Sequence, residues 1–205
     1  AGIVEECGPG VTDLQRGDSV ALVFVPSCGH CVPCMEGRPA LCEPGAAANV
    51  AGTLLGGGRR VHRADGSLLN HQVGVSCFAE YAVVSRGTLV KVDPELPADV
   101  AAVFGCAVLT GVGAVINSAR VPLGATVAVI GLGGVGLAAL LGAHAAGARQ
   151  IVAIDRLDEK LERAFALGAT HAFNADDPDL VAQVRAATLG GVEYAIEAAS
   201  SVDAL

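Results

Sequence analysis

Residues 131–136 read Gly-Leu-Gly-Gly-Val-Gly, directly after the apolar run Thr126-Val127-Ala128-Val129-Ile130 and directly before an apolar stretch of helical length. In a chain with 27 glycines the bare spacing G-x-G-x-x-G says little, but between a strand and a helix it has a mechanical meaning. Gly131 makes the tight turn, Gly133 lets the backbone approach a pyrophosphate, and Gly136 allows the helix to pack closely on the strand. The free N–H groups at the helix start, where Gly134 and Val135 lie, and the positive end of the helix dipole favour an anion there. Asp155 follows Gly136 by 19 residues, at the end of the next strand. A carboxylate in that place accepts hydrogen bonds from both ribose hydroxyls and repels a 2′-phosphate, which predicts NAD rather than NADP. Lys160, just inside the following helix, is a further candidate for the ribose, against the plainer reading of a solvated lysine. The competing reading of the whole motif is helix packing by the glycines and a helix N-terminal charge at Asp155.

The surrounding texture predicts an α/β fold. Strands at 126–130, 150–154, 171–174 and 192–196 alternate with helices at 134–146, 158–167 and 179–189. Apolar strands joined by helices of this length signal parallel βαβ units in a doubly wound sheet, with the right-handed crossover rule limiting the topology. The first hundred residues read differently, as short antiparallel segments at 1–7, 20–25, 78–84 and 89–92, a barrel-like lobe. An apolar helical run from Leu96-Pro97-Ala98-Asp99 to about Ala119 crosses between them, placing the domains at 1–107 and 108–205. The opening Ala1-Gly2-Ile3-Val4 carries no Met or signal sequence, and Ser200–Leu205 resembles the first turn of a helix, so both ends are expected to be cuts.

Between Cys28 and Ser76 the chain is rich in Gly, Pro and Ala and reads as a loop that needs a staple. Cys28, Cys31, Cys34 and Cys42 supply one. Their spacing, C-x2-C-x2-C-x7-C, wraps four thiolates around one tetrahedral zinc without long loop closure. Four sulfur ligands leave no open position, so such a zinc is structural. A disulfide pair and an iron–sulfur cluster are the alternatives, the former disfavoured without a secretory signal. His30, His62, Arg59, Arg60 and Arg63 read as solvent-facing loop residues.

Composition narrows the partners. The net charge is −8 and the 13 Lys and Arg are scattered, so no basic stripe exists to neutralise a phosphate backbone, and nucleic acid is an unfavoured partner. Asp99, glycines and polar residues interrupt the longest apolar stretch, which argues against a membrane span.

The zinc loop followed by the glycine turn, with Gly2-Ile3-Val4-Glu5-Glu6-Cys7-Gly8-Pro9-Gly10-Val11, Gly17-Asp18-Ser19-Val20, Ser76-Cys77-Phe78-Ala79-Glu80-Tyr81 and Gly105-Cys106-Ala107, resembles the zinc-containing alcohol dehydrogenases of the medium-chain dehydrogenase/reductase superfamily. The resemblance implies part of a GroES-like β-barrel lobe before a partial Rossmann sheet. It implies that Cys106 is one of three protein ligands of a second, catalytic zinc and that Thr110 lies beside the nicotinamide. The family's other two ligands have no matching motif in this chain, and Cys7 and Cys77 are read as packing residues. The implied chemistry is Lewis-acid activation of an alcohol by zinc and hydride transfer to NAD. Phe24 and Val73 are candidate walls of a pocket for a small alcohol or aldehyde. The long connection from Glu43 to Gly74 looks like that of the liver-type and glutathione-dependent formaldehyde branch, so oxidation of a hydroxymethyl-thiol adduct is a rival reading, and an inactive zinc-binding module is another. A cytoplasmic, homo-oligomeric full-length enzyme is the remaining expectation.

Overall fold

The structure, a computed structural model, describes residues 1–202. The expected final helical turn falls partly on residues 203–205, outside the described ones. The chain divides into two compact units, Ala1–Cys106 and Ala107–Leu205.

The first unit contains a three-stranded antiparallel sheet in the order β1 (Gly2–Ile3), β2 (Ser19–Leu22) and, later in the chain, the strand Leu89–Lys91. Val4, Leu14 and Val20 form its small core. The stretch expected to be loop carries two helices, α1 (Val32–Met35) and α2 (Glu43–Ala51), and a hairpin of β3 (Val61–His62) with β4 (Leu68–Leu69). Helix α2 has no amphipathic pattern and is set by its ends. The Cys42 sulfur accepts the Gly45 amide at its start, Pro44 occupies the first turn, and Gly52 closes it with φ 65. His71, buried rather than exposed like its neighbours, ties the hairpin down. Its Nε2 accepts the Arg60 amide and its own amide donates to the Gly52 carbonyl.

The strand expected at 78–84 does not form. Residues 78–81 bend and 82–84 pair with no strand among the described residues, so the segment gains no ladder hydrogen bonds. Phe78 and Tyr81 are exposed accordingly, as is Cys77, which corrects its reading as a packing residue. Cys7 packs against the first unit's core and donates from Sγ to the Leu14 carbonyl at 3.4 Å.

Helix α3 spans Ala98–Ala119, interrupted by π-helical turns at Phe104–Val108 and Ala114–Ala119. At 22 residues it is long and apolar enough to cross a membrane by length and composition alone. The expectation that Asp99 and the glycines would disqualify it is therefore corrected: Asp99 sits in the first turn and the glycines stay helical. Those glycines serve close packing. In the first unit a Cβ on Gly105 would strike the Leu22 carbonyl, and in the second a Cβ on Gly111 would strike that of Val135.

With Leu89–Lys91 counted as β5, the second unit is a four-stranded parallel sheet of β6 (Thr126–Ile130), β7 (Gln150–Asp155), β8 (His171–Asn174) and β9 (Tyr194–Glu197), in the order β8-β7-β6-β9. Helices α4 (Gly134–Ala145), α5 (Asp158–Ala166) and α6 (Leu180–Ala187) connect the strands. Strand periodicity of two is visible in the burial. Val127, Val129, Ile151 and Ala153 pack with α4 and α5 on one face, while Ala128, Val152 and Ile154 meet Leu180 and Val184 on the other. Glu193 fixes the register of β9, since its carboxylate accepts the Thr126 amide at 2.7 Å and hydroxyl at 2.9 Å. The chain runs outward from β6 to β8 and returns to place β9 on the other side of β6, so the order reverses at β6. Ligands of doubly wound sheets bind outside the strand ends at that point.

The tightest place in the second unit is the crossing of α4 over the β6 turn, where a Cβ on Gly136 would fall on the Gly131 carbonyl. Gly136→Ala is expected to cost about 1–3 kcal/mol, as overpacking does. Gly134→Ala, whose Cβ would meet only the Ala107 methyl at 3.4 Å, is expected to cost far less. Thermal melting of the two variants checks this, and equal midpoints would contradict it.

Candidate cofactor cleft and metal centre

The turn after β6 is built around Gly131, whose φ of 86 lies in the left-handed region and whose Cβ would collide with the backbone of Ala199. Gly133 is different: a Cβ there meets nothing within 4 Å, so its backbone faces open space at the start of α4. Gly134, Val135 and Gly136 form the first turn of that helix, whose amide hydrogens lack partners within the helix.

Asp155 ends β7 and is 9% exposed. Its Oδ2 accepts the Leu132 amide at 2.7 Å and lies 3.4 Å from the Lys160 ammonium, while Oδ1 accepts the Leu157 amide at 3.0 Å. Burial pushes its pKa up, but the amides of Leu132 and Leu157 and the Lys160 charge outweigh this and hold it below the usual carboxylate value. Each carboxylate oxygen has two lone-pair directions, so acceptor capacity remains beyond these bonds. Gly131, Gly133, Asp155, Arg156, Lys160 and Asp176 line a cleft of about 1280 Å³ along the strand ends.

The four cysteines of the loop come together as their spacing predicts. Their sulfurs all lie within 4.8 Å of one another, and Cys42 is fully buried. Cys31 and Cys42 Sγ are 3.9 Å apart. Tetrahedral zinc with Zn–S bonds of about 2.3 Å requires sulfurs roughly 3.8 Å apart, whereas a disulfide requires about 2.0 Å. The amides of Cys28 and Gly45 donate to Cys42 Sγ and that of Cys31 to Cys28 Sγ, each at 3.3 Å, which favours thiolates. The group is electrostatically divided: the His30 backbone amide draws Cys28 down to about 6, and burial pushes Cys34 up to about 11. Four adjacent thiols cannot all ionise unaided, and a divalent cation removes that conflict. The donor set fits a structural zinc. His30 is exposed, with Nδ1 against the Cys28 carbonyl.

Cys106 and Thr110 are both exposed on α3, and Cys106 belongs to no group of three potential ligands among the described residues. Phe24 and Val73 are exposed as well, Val73 with a φ of 44 that is unusual for a β-branched residue. The partnership of Arg156 with Asp176 was not expected; a basic residue directly after Asp155 was the available signal.

Two family models match the chain: the alcohol dehydrogenase GroES-like domain over residues 1–94 and the zinc-binding dehydrogenase over residues 134–205. The chain belongs to the zinc-containing alcohol dehydrogenase family. Among the relatives of this chain, an alcohol dehydrogenase class-3 of Myxine glutinosa is 41% identical over 204 residues, covering 98% of this chain and 54% of that protein. Alcohol dehydrogenase B of Mycobacterium tuberculosis is 43% identical over 173 residues, covering 84% and 46%. A solved alcohol dehydrogenase zinc-binding domain protein from Burkholderia ambifaria matches with a TM-score of 0.89 at 39% identity, covering all of this chain and 57% of that one. A benzyl alcohol dehydrogenase from Acinetobacter calcoaceticus matches at 0.84 and 38%, with the same coverage. The chain thus spans about half the length of the relatives it matches.

Two outcomes follow for these sites. Cys42→Ser is expected to reduce bound zinc at the cysteine loop and to lower the melting temperature, because the same sulfur ligates and caps α2; zinc analysis with melting checks this, and full zinc occupancy would contradict it. Asp155→Ala is expected to cost about 1–3 kcal/mol at neutral pH by leaving the two amides unpaired. Because the folded pKa of Asp155 is depressed, its stabilisation is present above the unfolded value and lost as pH falls through the folded one. The gap between wild type and variant should therefore narrow only below about pH 4. A gap independent of pH down to 2 would contradict this ~1–3 kcal/mol assignment.

Proposed function

We propose that this chain is the zinc-loop and cofactor-turn portion of a cytoplasmic, homo-oligomeric alcohol dehydrogenase that oxidises an alcohol to an aldehyde or ketone with NAD. The observation that carries the reading is the buried, ionised Asp155 beside a glycine turn at the point where the strand order reverses. In this reading the amides at the start of α4 hold the pyrophosphate, and Asp155 accepts the adenosine ribose hydroxyls and rejects a 2′-phosphate. Lys160, 30% exposed at its side chain and next to Asp155, keeps that carboxylate charged and reaches the ribose edge. Thr110 stands beside the nicotinamide, and Cys106 offers one thiolate to a catalytic zinc. Such a zinc supplies Lewis acidity toward the alcohol oxygen, and the nicotinamide takes the hydride. The Cys28–Cys42 site has no open ligand position and holds the loop in shape.

In the full-length protein, Cys106→Ser is expected to cut alcohol-dependent NADH formation by more than about 100-fold while leaving the zinc of the cysteine loop in place. Wild-type alcohol oxidation with NADP alone and not with NAD, or undiminished activity in the variant, would overturn the proposal. The isolated 205-residue chain, with one of the three expected catalytic ligands, should form no measurable NADH from alcohol, and measurable formation would contradict that. Turnover of formaldehyde with and without an added low-molecular-weight thiol separates a plain alcohol substrate from a thiol adduct.

A further inference from the structure

The geometry points to Asp176 as a cofactor-selecting residue that acts by occupying Arg156, an inference that rests on the NAD reading above. Arg156 directly follows Asp155 at the end of β7 and lines the same cleft. A cation there would ordinarily attract the 2′-phosphate of NADP, since guanidinium and phosphate pair strongly. In this chain its Nε lies 2.9 Å and 3.0 Å from the two carboxylate oxygens of Asp176, in the loop after β8.

The two backbones are joined by a third residue. Asn174 donates from Nδ2 to the Arg156 carbonyl at 3.3 Å and to Asp158 Oδ1 at 2.9 Å, and its Oδ1 accepts the Asp176 amide at 3.0 Å. The loop ends of β7 and β8 are thereby held in register, with Asp176 opposite Arg156. The ribose rim carries two matched pairs, Lys160 with Asp155 and Arg156 with Asp176, while Arg185 lines the cleft from α6. A 2′-phosphate, with a charge of roughly −1.5 to −2, would meet the Asp155 carboxylate and find the nearest guanidinium already neutralised. The Arg156 and Asp176 side chains are 75% and 61% exposed, so their pairing adds little to stability and the pair can be altered without unfolding the sheet.

The test is titration of the full-length protein with NADH and with NADPH, by nicotinamide fluorescence, for wild type, Asp176→Asn and Asp176→Asn with Arg156→Gln. Asp176→Asn is expected to tighten NADPH binding about tenfold, one charge-assisted contact, while NADH affinity moves by less than about twofold. The double variant is expected to lose that gain, which separates release of Arg156 from a general loss of negative charge. Unchanged NADPH binding in Asp176→Asn, or a gain that survives in the double variant, would overturn the assignment while NADH binding leaves the NAD reading standing. Failure of the wild type to bind NADH would overturn both.

Discussion

The bond from the Leu132 amide to Asp155 Oδ2, 2.7 Å long, joins the glycine turn after β6 to the end of β7. Around it the constraints accumulate. The Gly131 amide donates to the Ile154 carbonyl at 2.8 Å, so the turn is held to β7 by two bonds of neighbouring residues. Gly131 must be glycine because the backbone of Ala199 stands where a Cβ would go, and Gly136 must be glycine because the Gly131 carbonyl does. The start of α4, the ends of β6, β7 and β9 and the buried carboxylate are thus fixed together. The same carboxylate is structural and chemical at once: the amides that keep it ionised also present it to the cleft.

The second staple works locally. Cys42 joins the cluster of four sulfurs and caps α2, so the loop after Cys28 depends on one buried sulfur for both its metal geometry and its helix. A sheet crevice in one unit and a four-cysteine cluster in the other are consistent with the family to which the chain belongs.

Much of this was legible in the sequence, unevenly and for physical reasons. The strand Thr126–Ile130 is bounded as its apolar run and flanking turns require, because a parallel strand buried on both faces leaves a continuous signal, whereas His171–Asn174, half-buried at the sheet edge, was marked by its position between two helices. The cysteine cluster was legible because four ligands within 15 residues need little loop closure. Helix α2 was not, since Glu43-Pro44-Gly45 and a run of alanines carry no periodicity, and only the Pro near its start and Gly52 at its end marked it. The segment 78–84 misled in the other direction: β-favouring residues express a preference that only a partner strand can satisfy. Cys106 shows a further limit, because it stands in no group of potential ligands among the described residues and spacing alone assigns it no partner.

The most direct measurement is a crystal structure of the full-length protein with NAD bound. The adenosine ribose hydroxyls are expected within hydrogen-bond distance of the Asp155 carboxylate and the pyrophosphate against the backbone at Gly133. A dinucleotide seated away from the glycine turn, or one whose ribose leaves Asp155 untouched, would contradict this expectation.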